Sequence, residues 1–473
     1  MNEIWSGLQD AYAQLAENIF RKFGSKPETL GGIGISAMMH GYLPFARDGE
    51  LLTPLRTWQN TTTGTAAAQL TDLFSFSIPQ RWSVAHLYQA ILNGEKHLER
   101  IDFLTTLAGY VHWQLTGQRV LGIGDASGMF PIDCKTGDYD VGMLHKFDAL
   151  VAEKRYPWHL RGLLPEVLMA GVNAGTLSAR GAGLLDPTGT LQPGIPLCPP
   201  EGDAGTGMVA TNAVSARTCN VSAGTSIFTM VVLEHALENV YPEIDVVTTP
   251  DGQPVAMVHC NNCTSDFNAW AKILRETAAL FGAEPDTSEL FTKLYEKSLE
   301  GDPDCGGILV YNYLAGEPVT GLETGRPMVL RRADSRFTLS DFIRSQLYSA
   351  LATLKIGIDI LANEHIGIDR LMGHGGFFKT PLVGQKYLAA AVEAPVSIMK
   401  TAGEGGPYGI ALLASYMLHG QIGQSLADYL KSDVFRGTVC FTVSPEDSDV
   451  TGFRAFLANY KEGLAVEKAA SAI

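Results

Sequence analysis

Apolar residues recur at helical spacing from the start of the chain: Ile4, Trp5, Leu8, Ala11, Tyr12, Leu15, Ile19 and Phe20, with Gly24 ending the run. The stretch GGIGISA at 31–37 reads as a short buried strand. Helix then strand is an odd entry to an α/β domain, because a first strand is absent from the pattern. Apolar runs on either side of Asp48-Gly49 signal a hairpin. The periodicity predicts helices over 66–75, 84–93, 103–116 and 142–153, with turns and short extended pieces over 124–139. Residues 219–233 read as strand, small-residue turn and strand. Residues 254–260 read as a strand and 265–281 as a helix. Thr338 and Asp341 are spaced as a capping box for an amphipathic helix reaching about Asn363. The last third has a regular rhythm. Segments 368–376 and 395–406 each run as a strand into glycines, and a helix follows each. The closing 440–470 segment reads as a short strand and a helix. Strands that end in glycine loops before helices predict an α/β fold with ligand loops at the carboxyl ends of the strands.

A chain of 473 residues exceeds one ordinary core, so two domains of roughly 200 residues each are expected. Apolar residues at 46% and charged residues at 18% describe a globular protein. The net charge of −15, with no basic run, argues against nucleic acid or an anionic membrane as partner. No apolar run reaches the ~18 residues of a membrane span, and charges interrupt the first helix, so a cytoplasmic protein is expected. Seven scattered cysteines, an odd number, suggest free thiols in a reducing compartment. Cys260-Asn261-Asn262-Cys263 has no second pair to complete a zinc site and reads as two thiols in a strand-to-helix loop; no metal ligands are assigned.

Two glycine loops, GHGGFF and GEGGPYG, lack the Walker ending and the dinucleotide spacing. Either alone is weak. Together with the small-residue turn Ser222-Ala223-Gly224-Thr225-Ser226 they favour a nucleotide, because backbone N–H groups and hydroxyls there can hold phosphate oxygens. Asp203, in EGDAGTG, then has two readings. It can take the proton of an acceptor hydroxyl during phosphoryl transfer, or it can cap the helix that follows.

In this order the motifs resemble the FGGY carbohydrate kinases, most closely their xylulokinase-like branch. SAMMHG (36–41) is similar to the branch's Met-His-Gly loop, and RTWQNTTT (56–63) falls where the family has Trp, Asp and Arg. GDASGMFPID (124–133), EGDAGTG (201–207), NVSAGTS (220–226), YLAGEP (313–318), LMGHGGFFKTPLVGQ (371–385) and GEGGPYGIALLA (403–414) follow in family order. The resemblance covers essentially the whole chain. It implies two RNase H-like domains of the actin/Hsp70 type, over 1–215 and 216–473, with a cleft between them. It implies ATP and Mg²⁺ as cofactors, a small sugar as substrate, and a homodimer as the common family assembly. Asp203 would be the base, and His40, Trp58, Asn60 and Asp125 would lie around the sugar. Gly224, Thr225 and Ser226 would touch phosphates. Gly375, Gly376, Lys379, Gly405 and Gly406 would line the adenosine pocket. Local readings stand beside these: His40 and Trp58 as core, Lys379 as a solvated helix residue, Asp125 as an Asx-turn former.

Three features depart from the family. Asn60 and Thr62 stand where an acid and an arginine are usual, and YLAGEP lacks the Arg-Thr-Pro continuation. Family members also open with a strand and an Asp-x-Gly-Thr loop that helps position Mg²⁺, whereas this sequence begins at the helix that would follow. The resemblance therefore implies a first domain short of its N-terminal hairpin, with exposed apolar sheet edges. It leaves a binding protein without catalysis, or a truncated product, as the alternative to a kinase.

Overall fold

The computed structural model describes residues 1–399 and 405–473. The chain divides into two compact units. The first comprises Met1–Val214, Val246–Val255 and Glu404–Arg436; the second comprises Ser215–Asp245, Ala256–Gly403 and Gly437–Ile473.

The first unit opens with the helix Asn2–Phe23, which Gly24 ends in a left-handed conformation. Its buried Tyr12 and Ala16 join a core with Leu43, Phe45, Phe103, Tyr110 and Leu115. Trp5 Nε1 donates to Tyr110 Oη at 3.0 Å, which fixes the helix on that core. The strand expected over 31–37 is short. Only Ser36–Ala37 is a strand, pairing in parallel with Glu201–Gly202, while Ile33 bridges Leu197. A second parallel pair joins Val120–Gly122 to Glu166–Leu168. These two pairs bring three chemistry-bearing segments to strand ends: the loop 38–41 and the helical turns that begin at Ile123 and Asp203.

Two expectations are corrected in this unit. The apolar run over 103–116 divides into a strand, Phe103–Thr105, and a helix, Leu107–Thr116. Thr106 takes an extended backbone and accepts Gly109 N–H, so it caps the helix and cuts the run in two. The Asp48-Gly49 turn does form, with Ala46 N–H bonded to Glu50 O. The strand before it, Leu43–Phe45, nonetheless takes Phe103–Thr105 as its main partner, because both are fully buried and share one core.

The second unit is built on a mixed sheet whose wholly included strands run in the order Ile227–Val232, Thr218–Ala223, Arg370–His374, Val396–Met399, Cys440–Val443. Thr218–Ala223 and Ile227–Val232 form an antiparallel hairpin, and Arg370–His374 lies parallel to the first of them. The long helix Leu339–Asn363 forms with Thr338 accepting Asp341 N–H at 3.2 Å. Only that half of the capping box is seen. The Asp341 carboxylate accepts the Thr338 hydroxyl at 2.5 Å, Asp302 N–H and the Arg336 guanidinium. The helix expected directly after the 368–376 segment is not continuous. A short 3-10 turn, Gly376–Phe378, precedes the helix Val383–Val392, and Pro381 and the left-handed Leu382 interrupt the run.

Candidate active site

Asp203 is the first residue of the helix Asp203–Ala210, directly after the strand Glu201–Gly202. Gly202, not Asp203, occupies the cap position, so the helix-cap reading is not met in its usual form. The Asp203 carboxylate accepts Met39 N–H at 3.1 Å and Ala204 N–H at 3.0 Å, both on Oδ1. The parallel neighbour strand ends at Ala37, which is why Met39 reaches it. The side chain is exposed, yet protein surrounds it closely enough for burial to raise its pKa; the backbone N–H bonds oppose that rise.

Asp125 follows the strand Val120–Gly122 and is fully buried. It is no Asx-turn former. Thr106 Oγ1 donates to its Oδ2 at 2.6 Å, while Oδ1 has no hydrogen-bond partner among the described residues. Burial pushes its carboxyl up to about 8, with Thr106 opposing and the Asp203 charge adding. Glu201, also buried, accepts Gly124 N–H at 3.2 Å and Asp125 N–H at 2.9 Å. Burial, then Asp125, pushes it up to about 8 as well. Glu201 thus holds the loop that carries Asp125 while its own strand carries Asp203.

His40 is buried and adopts a left-handed backbone (φ 69°). Its Nδ1 donates to Gly128 O at 3.2 Å, and its ring stacks on Trp82 at 6.4 Å. Trp58 and Asn60 are half-buried on the next segment, which Tyr42 N–H holds by its bond to Arg56 O at 2.9 Å. Asn60 Oδ1 accepts Thr62 N–H and Oγ1, which makes a local turn.

In the second unit, Gly224, Thr225 and Ser226 form the tip of the hairpin, with Ile227 facing Ala223. Gly224 N–H bonds Ser226 O at 2.9 Å, and Thr225 is exposed. His374 pairs with Ser222 across the parallel strands, so Gly375 and Gly376 emerge beside this tip. Gly375 has φ 102°, and any side chain there would overlap Ala223 O. Gly376 faces open space and Lys379 is exposed on the turn after it.

Gly405 and Gly406 belong to the first unit, so the two glycine loops expected at the adenosine pocket fall in different units. They begin the helix Gly405–His419, and Gly406 lies against Ser36 and Thr206. The start of that loop, 400–404, lies outside the described residues.

Sequence reasoning missed Glu201, Thr106, Trp82 and the Met39 N–H. The one signal for Glu201 was its place: an acid immediately before Gly-Asp at the end of the apolar stretch 195–200.

Two family models match the chain: the FGGY carbohydrate kinase N-terminal domain over residues 1–209, and the C-terminal domain over 219–418. A xylulose kinase from Haemophilus influenzae is 22% identical over 365 residues, covering 75% of this chain and 69% of that protein. A xylulose kinase structure from Lactobacillus acidophilus aligns with a TM-score of 0.80 at 16% identity, covering 100% of this chain and 90% of the other. A gluconate kinase structure from the same organism aligns at 0.79 and 16% identity, with the same coverage. The fold is thus the two-domain actin/Hsp70-like one. On these matches the chain belongs to the FGGY family of carbohydrate kinases, in its xylulokinase-like part.

Proposed function

We propose that this carbohydrate kinase transfers the γ-phosphoryl group of ATP to a hydroxyl of a ketopentose or a related ketose or polyol, with Asp203 as general base. The observation that carries the reading is the Asp203 carboxylate: exposed, at a strand end, and oriented by two backbone N–H bonds on one oxygen. The other oxygen can then receive a substrate hydroxyl and take its proton as the phosphoryl group moves. The buried Asp125 carboxyl and the His40 ring supply polar groups on adjoining loops for orienting the remaining hydroxyls. Trp58 and Asn60 would complete that side. Neighbouring structures that carry the names of xylulose and gluconate kinases share this fold, so the fold leaves the sugar open.

The hairpin tip Gly224-Thr225-Ser226 fits nucleotide phosphates, because small residues let backbone N–H groups approach the oxygens. Gly375, Gly376, Lys379, Gly405 and Gly406 would serve the nucleoside. Among the described residues no three His, Cys, Asp or Glu side chains converge as a metal cage. Mg²⁺ carried on ATP phosphates needs no such cage, since it keeps several waters and takes one or two carboxylates at most. Bound MgATP would supply the phosphoryl group; the chain's own residues bind, orient and accept the proton.

The test is ADP release with MgATP over a panel of ketoses, aldoses and polyols. We expect turnover with one sugar and a fall of roughly 10²–10⁴-fold in Asp203→Asn. A variant as active as the parent would remove Asp203 from the reaction. Binding of sugar and nucleotide without turnover would identify a non-catalytic member.

A further inference from the structure

Glu317 lies in YLAGEP, a stretch that the proposed chemistry does not use. Its side chain is fully buried, and Oε1 has no hydrogen-bond partner among the described residues. Oε2 accepts Asn262 N–H at 3.3 Å and Asn262 Nδ2 at 3.1 Å. Asn262 is in turn bound to the same loop: its Oδ1 accepts Leu314 N–H at 2.9 Å and Ala315 N–H at 3.0 Å, and its Nδ2 also donates to Ala315 O. Asn261 Nδ2 donates to Gly316 O at 2.8 Å. Both asparagines between the two cysteines are therefore docked on 314–317.

The next residues hold the hairpin tip. Cys263 N–H donates to Thr225 O at 3.1 Å, and Thr264 N–H donates to Gly224 O at 3.2 Å. Thr264 Oγ1 adds a bond to Gly224 O at 2.7 Å, and Ser265 Oγ one to Thr225 O at 3.2 Å. In a planar trans peptide the C=O of one residue and the N–H of the next point in opposite directions. Drawing the carbonyls of Gly224 and Thr225 toward 263–265 therefore turns the N–H groups of Thr225 and Ser226 away from it. Neither of these N–H groups has a backbone acceptor among the described residues.

We infer that Glu317 is a positioning residue that acts through Asn262 and the 263–265 segment to hold the Thr225 and Ser226 N–H groups aimed at nucleotide phosphate. The inference rests on the reading of 224–226 as a phosphate loop. It gives a reason for a carboxylate that is otherwise expensive to bury. Burial pushes that carboxyl up to about 7 against the opposing pull of the Asn262 bonds. The positioning of a few phosphate-binding groups within tenths of an ångström has a large effect on transfer, because a small misplacement removes them from the reacting geometry.

The test compares Glu317→Ala, Glu317→Gln and Thr264→Val with the parent, by steady-state kinetics and by hydrogen exchange of peptides spanning 222–227. Glu317→Ala is expected to raise the KM for MgATP by roughly tenfold or more while the sugar KM holds. Exchange over 222–227 should become faster. Glu317→Gln keeps an oxygen for Asn262 and should recover much of both. Thr264→Val removes one bond to Gly224 O and should move both in the same direction by less, and it decides the matter if Glu317→Ala does not fold. Unchanged exchange and an unchanged MgATP KM in folded Glu317→Ala would overturn the inference. If the parent neither turns over nor binds MgADP, the phosphate-loop reading fails and the nucleotide half of the inference falls with it. The exchange result then decides the clamp alone.

Discussion

Asp125 and Glu201 are buried acids, and burial pushes both up to about 8. In the unfolded chain such groups titrate near ~4. Between these values the folded state binds more protons than the unfolded one. The stability they contribute is therefore complete below pH ~4 and is lost as the pH rises toward about 8. The thermal midpoint should fall from pH 5 to pH 8, and Asp125→Asn should flatten part of that slope, because an amide has no proton to lose. An unchanged slope in the variant would mean that Asp125 is already ionised in the fold. Asp203 bears on catalysis in the same way. Its pKa is raised, so the acid limb of kcat/KM should lie above the ~3.9 of an ordinary aspartate and vanish in Asp203→Asn. Asp203 could be singled out in the sequence, since a lone acid between glycines is conspicuous. Its orientation could not, because Met39 is 164 residues away. Glu201 was hidden for the same reason: its bonds go to residues 76 and 77 positions earlier.

At the scale of elements, the Asp203 helix owes its position to the helix Gly405–His419. Gly409 lies so close to it that an added methyl would overlap Thr206 O. Gly409→Ala should destabilise the protein by about 1–3 kcal/mol, as overpacking does, and should lower sugar turnover by displacing Asp203. Calorimetry beside the kinetic assay checks both, and a fully stable variant would show that the two helices can separate at no cost. Most helices could be read from periodicity, and the glycine loops from composition. The failures came where one residue changes the backbone. Thr106 divides an apolar run, Leu382 interrupts a helical one, and Asp341, which does pair with Thr338, also bonds Asp302 and Arg336. Local pattern carries no information about such competing partners.

For the whole molecule, the proposed sugar residues lie in the first unit and the proposed phosphate residues in the second. Ligands at the carboxyl ends of strands should protect separate segments from hydrogen exchange. A substrate sugar should slow 36–41, 124–130 and 201–206; MgADP should slow 222–227 and 374–379. Protection of both sets by the sugar alone would contradict that division of labour. The sequence by itself determined the α/β class, the two-domain size, the net negative charge and the order of the motifs, because these follow from periodicity, composition and spacing along the chain. Tertiary structure alone decided which carboxylates are buried together, which oxygen of Asp203 is engaged, and how Asn262 and Glu317, 55 residues apart, come to hold a hairpin tip. Those outcomes depend on hydrogen bonds between distant segments, and a buried polar group takes whichever partner the packing brings within reach.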